Sequence, residues 1–181
     1  MKRLSPLDPD ALTKAQKDVH DKIIAGPRGA VRGPFVPMLH SPGAADFIQG
    51  LGAYLRFDGV LPGKLRELAI LTTARFWKAE YEWNSHVTFA KEEGLDPAII
   101  DAIAAHDTPD FSDADEQAVY SFVTGLHGNH QVSDETFSAI RDAFGEEGTL
   151  ELTVLAGYYT IISMVLNTFQ VEPPEGAKLL P

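Results

Sequence analysis

Three titratable side chains fall close together in the first half of this chain: Glu67, in Leu65-Arg66-Glu67-Leu68-Ala69-Ile70-Leu71, then Glu82 and His86, in Tyr81-Glu82-Trp83-Asn84-Ser85-His86. Residues four apart share a helix face, so Glu82 and His86 can share a proton or a hydrogen-bond partner. A carboxylate beside an imidazole fixes its tautomer and raises its basicity, which tunes the ring to give or take a proton near neutrality. The same Glu–His spacing is common on solvated helix faces and would by itself decide little. Glu67 adds the second observation. Flanked by Leu65, Leu68, Ala69 and Ile70, it lies beside an apolar stripe, where an unpaired carboxylate is costly. A buried acid needs a partner, and His86 is the candidate.

The elements that must bring them together follow from periodicity and punctuation. A helix starting near Pro62 buries Leu65, Leu68, Ala69, Leu71 and Thr72 and ends around Phe76 or Trp77. The next runs from about Ala79 to Glu93, where Gly94 stops it. The short link at Phe76-Trp77-Lys78 makes the two antiparallel neighbours. By helical rise, Glu67 lies roughly 13 Å before the turn and His86 roughly 10 Å after it, so the two sit at comparable depth.

The remaining sequence reads as all-α: about eight helices in a single domain over 1–181, with no convincing alternating strand. Leu12, Ala15, Val19 and Ile23 predict a first helix ended by Gly26-Pro27. Residues 26–40, rich in Gly and Pro, predict an ordered loop rather than a helix. Ser41-Pro42 reads as an N-cap with proline at the first helical position, followed by an inward stripe of Phe47, Ile48, Leu51 and Leu55. Asp96-Pro97 opens a short helix bearing Ile99, Ile100 and Ile103. Ser112 and Asp115 are spaced like a capping box before Val119, Phe122, Val123 and Leu126, a run that Gly128-Asn129 interrupts. Ser133 caps a helix with Phe137, Ile140 and Phe144, closed by Gly145. The last helix, about Thr149 to Phe169, is apolar nearly all round, and we expect a neighbouring subunit to supply part of its cover.

Composition narrows the function. A formal charge of −11 repels phosphate backbones and anionic lipids, so nucleic-acid and membrane partners are not expected. No signal-like apolar segment follows the basic start, and the expected location is cytoplasmic. With no cysteine among 181 residues, thiolate nucleophiles, peroxidatic thiols and sulfur-ligated metals are all excluded. His127 and His130 are spaced for shared metal ligation. Their place at a helix end favours carbonyl capping or a dipole contact instead, and no metal site is expected.

The residues around Glu67, Tyr81-Glu82-Trp83 with His86, and Val132-Ser133-Asp134-Glu135-Thr136-Phe137 with Leu152 through Tyr159 resemble the carboxymuconolactone decarboxylases and their alkyl hydroperoxidase D-like relatives. The resemblance spans about residues 30–170. Peroxidase members carry a glutamate, two cysteines separated by two residues, and a histidine. Those cysteine positions correspond here to Ala79 and Glu82. The resemblance therefore points to the decarboxylase-like branch without the redox cysteines. It implies an alkyl hydroperoxidase D-like helical bundle, an obligate homo-oligomer (trimer or hexamer), and cofactor-free loss of CO2 from a small cyclic carboxylate of the kind met in aromatic compound degradation.

Loss of CO2 leaves a carbanion whose charge spreads onto a carbonyl oxygen, so such a site needs a donor at that oxygen and an acid that protonates carbon. We assign His86 as the proton donor, oriented and polarised by Glu67 and Glu82. A carboxylate substrate needs a guanidinium, and Arg28, Arg32, Arg66 and Arg75 are the candidates. Arg28, on a loop stiffened by Pro27 and Pro34, is preferred, with Arg66 next. Trp83 and Phe35 are expected to supply apolar walls. A thiol-independent hydroperoxidase-like protein and a non-catalytic small-molecule-binding oligomer are the rival readings.

Overall fold

The computed structural model describes residues 3–181, and the described residues form eight α-helices with no strand. The fold is all-α, as the sequence predicts. Helices α1 (Lys14–Ala25), α2 (Phe35–Met38), α3 (Pro42–Ala53), α4 (Gly63–Phe76), α5 (Glu80–Glu92), α6 (Pro97–Ala105), α7 (Ala114–Asn129) and α8 (Asp134–Phe169) follow in chain order.

Helix α4 is the axis. Leu68, Ala69, Ile70, Leu71 and Ala74 are each almost wholly buried, which requires cover on every side. Helices α5, α7 and α8 provide it. The α4–α5 turn is tight: Lys78 takes a left-handed conformation (φ 48), and α8 ties it down. Asn167 Nδ2 donates to the Trp77 carbonyl at 2.7 Å, and Trp77 Nε1 donates to Thr160 Oγ1 at 3.3 Å. The hairpin is therefore clamped from behind, and its two inner faces are held in one register.

Helix α8 breaks at Gly145 (φ 70, ψ −176), as a glycine closing one helix and releasing the next should. By length and composition alone it could cross a membrane, yet 56% of its most apolar window is buried within the protein. It serves as a core helix, with Leu152, Leu155, Tyr159, Ile162 and Leu166 turned inward.

Three expectations change, and one element is new. The Gly/Pro-rich stretch 26–40 contains a single helical turn, α2, because Pro34 and Pro37 fit a first turn that needs no donor from them. Phe47 and Leu51 do not face inward: Phe47 is 84% exposed, and the buried residues of α3 are the small Ala45 and Gly52. The cap of α7 is Asp113, whose carboxylate accepts from the backbone of Asp115 and Glu116, rather than Ser112. Finally, α3 runs into a π-helical turn, Tyr54–Asp58, closed by Gly59 N–H donating to Tyr54 C=O at 2.9 Å. Such turns alter the rotational phase of a helix and are frequent at functional sites.

Candidate active site

The antiparallel hairpin places Glu67 of α4 against His86 of α5. His86 Nδ1 lies 2.6 Å from Glu67 Oε2, and Nε2 lies 3.0 Å from Glu82 Oε1, one helical turn back. All three are buried: Glu67 at 1%, His86 at 3% and Glu82 at 5% exposure. Burial pushes the imidazole pKa down, but the Glu67 charge and the hydrogen bonds to both carboxylates outweigh it and raise the value to about 9. At neutral pH the ring is thus an imidazolium that donates from both nitrogens. Tyr159 meets it edge-on, with ring centroids 5.2 Å apart.

A cavity of about 690 Å³ opens over this group, with Glu82 and His86 in its wall. Glu67 stands behind His86 and does not reach it. The other walls come from the loop 27–35, the π-turn, α5 and α8. Three arginines line the cavity, Arg28, Arg32 and Arg56, together with the rings of Phe35, Phe57, Tyr81, Phe89, Tyr158 and Tyr159. Arg28 stacks over Phe35 at 4.7 Å and donates from Nη2 to Tyr158 Oη at 3.4 Å. Burial, against the opposing charge of Arg28, pushes the Tyr158 phenol up to about 12. Tyr159, also buried, is raised well above 10. Both phenols are therefore neutral hydrogen-bond donors at physiological pH.

The loop stays close because of two glycines. A Cβ on Gly52 would sit 2.0 Å from Tyr158 Oη and 2.5 Å from Arg28 Nη2. Gly33, with φ +58, lies flat on Tyr81, where a Cβ would come within 2.4 Å of the ring.

Of the residues read from sequence, Glu67, Glu82 and His86 come together, and Arg28 and Phe35 join them at the cavity. Arg66 and Trp83 do not. Helix α4 stands behind His86, and Arg66 lies off the cavity between Glu67 (3.8 Å) and Glu93 (3.8 Å). Helical rotation by one residue from Glu82 turns Trp83 into the core, where it is 5% exposed. Arg75 is likewise committed, donating from Nε to the Ala104 carbonyl at 2.8 Å. His127 bonds Thr73 Oγ1 at 3.0 Å and stacks on Phe76, while His130 is the exposed left-handed cap of α7. Among the described residues no group of three or more metal-binding side chains occurs.

Sequence reasoning missed Arg56, Phe57, Phe89 and the Tyr158-Tyr159 pair as cavity residues. Two adjacent phenols in an otherwise apolar helix were the available signal, since buried tyrosine hydroxyls seek a polar neighbour.

Solved structures share the fold. The chain has the fold of an uncharacterised peroxidase-related protein from Ralstonia eutropha JMP134 with an alkylhydroperoxidase AhpD core (TM-score 0.78, 18% identity, 96% of this chain and 93% of that one). A putative antioxidant defence protein AhpD from Agrobacterium tumefaciens is also similar (TM-score 0.66, 18% identity, 79% and 99% covered). So is the debrominase Bmp8 (TM-score 0.73, 14% identity, 96% and 92% covered). No curated protein matches the sequence. Residues 42–124 match the model of the Carboxymuconolactone decarboxylase family. That segment, somewhat under half of the chain, holds Arg56, Glu67, Glu82 and His86, and the chain carries no cysteine.

Proposed function

We propose that the protein is a cofactor-free lyase or isomerase of the carboxymuconolactone decarboxylase type, acting on a small cyclic carboxylate by proton transfer. The observation that supports this best is the sulfur-free Glu67–His86–Glu82 chain ending in a cavity lined by rings and guanidinium groups. Flat ring faces accept an unsaturated ring, the arginines accept its carboxylate, and the buried imidazolium holds a proton ready.

In the decarboxylation form, the bond between the ring carbon and its carboxylate breaks, CO2 departs, and the electron pair delocalises onto a conjugated carbonyl oxygen. The neutral phenols and guanidinium groups are the donors available to that oxygen. Carbon then takes one proton from the site. His86 supplies it, and because Nε2–H already points at Glu82, the carboxylate in the cavity wall is the natural carrier. Glu67 holds the far nitrogen and stabilises the remaining charge. The site regains its proton from solvent, so the net change is carboxylate plus one proton to CO2 plus the reduced-carbon C–H.

Hydroperoxide and debromination chemistry, named for structural neighbours, is not carried over, since thiol steps have no sulfur here. We extend the proposal to a cytoplasmic homo-oligomer, trimer or hexamer, in which a partner covers the exposed Phe47, Leu150, Ile161 and Met164.

The test is CO2 release from carboxylated lactones and related ring acids by the purified chain. His86→Ala and Glu82→Gln should each lower turnover by about 100-fold or more, the scale of general acid–base catalysis, with helicity and assembly unchanged. Full activity in either variant would remove that residue from the mechanism.

A further inference from the structure

Resting on the proposed carboxylate substrate, we propose that Arg56, rather than the loop arginine Arg28, is the residue that grips the substrate's carboxylate, and that Glu151 is the positioning residue that holds it in place.

The three cavity arginines are not equivalent. Gripping a carboxylate takes two parallel N–H donors from one fork. One arm of the Arg28 fork, Nη2, already donates to Tyr158, so the paired donors of that guanidinium are not both open to a carboxylate, although its buried Nε has no hydrogen-bond partner among the described residues. That guanidinium ties the loop 27–35 to α8 across Gly52 and is a structural fastening. Arg32 is exposed, so bulk water screens its charge.

Arg56 is half-buried, and its guanidinium stands 5.2 Å from the Phe57 ring centre and 5.0 Å from that of Phe89. Among the described residues it makes no hydrogen bond and no ion pair. Ring faces orient a guanidinium without using its in-plane donors. In a chain of net charge −11, a half-buried arginine on a cavity wall with both arms of its fork open can receive an anion. Phe89 also touches the His86 ring edge, centroids 5.7 Å apart, so one aromatic side chain separates the gripping group from the proton donor.

The turn carrying Arg56 is anchored on both sides by one buried acid. Glu151 of α8, 7% exposed, accepts from Tyr54 Oη on one side and from Val60 N–H at 2.8 Å on the other. A carboxylate holding both ends of a π-turn fixes where Arg56 projects.

The experiment is binding of benzoate to the intact protein, followed by calorimetry at low salt, with benzyl alcohol as the uncharged control. Arg56→Gln should weaken benzoate by about 10- to 100-fold, the range of a charge-assisted hydrogen-bonded pair, and leave benzyl alcohol unchanged. Arg56→Lys, keeping the charge but losing the fork, should fall between. Arg28→Gln, which unfastens the loop 27–35, should weaken benzoate and benzyl alcohol alike and leave the ratio of their affinities unchanged within about threefold. Glu151→Gln should weaken benzoate while sparing benzyl alcohol, a difference that general loosening of the cavity would not produce. If Arg28→Gln instead lost benzoate while sparing benzyl alcohol, and Arg56→Gln kept both, the assignment would be overturned and the carboxylate-substrate reading would stand. Equal affinity of the wild-type protein for benzoate and benzyl alcohol would overturn both.

Discussion

Replacing Glu67 by glutamine should bring the titration of His86 down from about 9. In the folded protein, burial disfavours the imidazolium and two carboxylates favour it, Glu67 at 2.6 Å more than Glu82 at 3.0 Å. Moving the ring from its ordinary 6.5 to about 9 corresponds to roughly 3 kcal/mol of preferential proton binding by the folded state. Because the folded pKa is raised, this stabilisation is fully present below pH 6.5, declines above it, and is lost once the pH passes about 9. Glu67→Gln keeps the burial and removes the nearer charge, leaving Glu82 alone to raise the ring, so His86 should titrate well below 9 and the alkaline decline should shrink and begin at lower pH. The ring carbon and proton signals of His86, followed by NMR against pH, read the first quantity. Urea unfolding at pH 6.5 and 9.5 reads the second. A wild-type His86 that titrates below pH 7, or a Glu67→Gln protein with the same pKa and the same alkaline loss, would refute the reasoning.

Gly52→Ala puts a methyl group where Tyr158 Oη and Arg28 Nη2 now lie, and it should cost about 1–3 kcal/mol in unfolding free energy through overpacking, while detaching the loop 27–35 so that proteolysis there accelerates. Glu151→Ala leaves the Val60 N–H and the Tyr54 hydroxyl without their acceptor and should lower stability by about 1–3 kcal/mol, measured by denaturant unfolding. A change under about 0.5 kcal/mol would show that the π-turn does not depend on it.

The hairpin was legible in the sequence because every level agreed there. Apolar period, Pro62 at the start, a short link and Gly94 at the end all specified two antiparallel helices, and simple rise per residue put Glu67 beside His86. Helix α3 was legible in extent but not in orientation. Its inward face is set by Ala45, packed with Val19, Ile23, Phe35 and Leu39, and by Gly52, small because Tyr158 and Arg28 occupy the space above it, and an apolar stripe drawn through Phe47 and Leu51 cannot register that. Arg56 was hidden for a related reason. The π-turn adds a residue to the helical turn and shifts the phase, so a side chain that a regular helix would send elsewhere reaches the cavity. Trp83 failed as a cavity residue because it is one position, a rotation of about 100°, from Glu82, which does belong there, and Arg66 failed because its helix stands behind His86 and lends the cavity wall no residue. Asp113 displaced Ser112 as a cap because both residue types suit that role and only the turn geometry chooses between them.

The placement of charge along the cavity has a further effect. Arg66 offsets Glu67 from behind, and the imidazolium stands between its two acids, so the pole facing inward is the carboxylate of Glu82, while the guanidinium groups supply the opposite pole elsewhere on the wall. An asymmetric ring acid entering this gradient meets attraction at one end and repulsion at the other. A substrate of the proposed class would be turned end for end before any close contact formed, and discrimination between the two reversed binding modes would begin with polarity rather than shape.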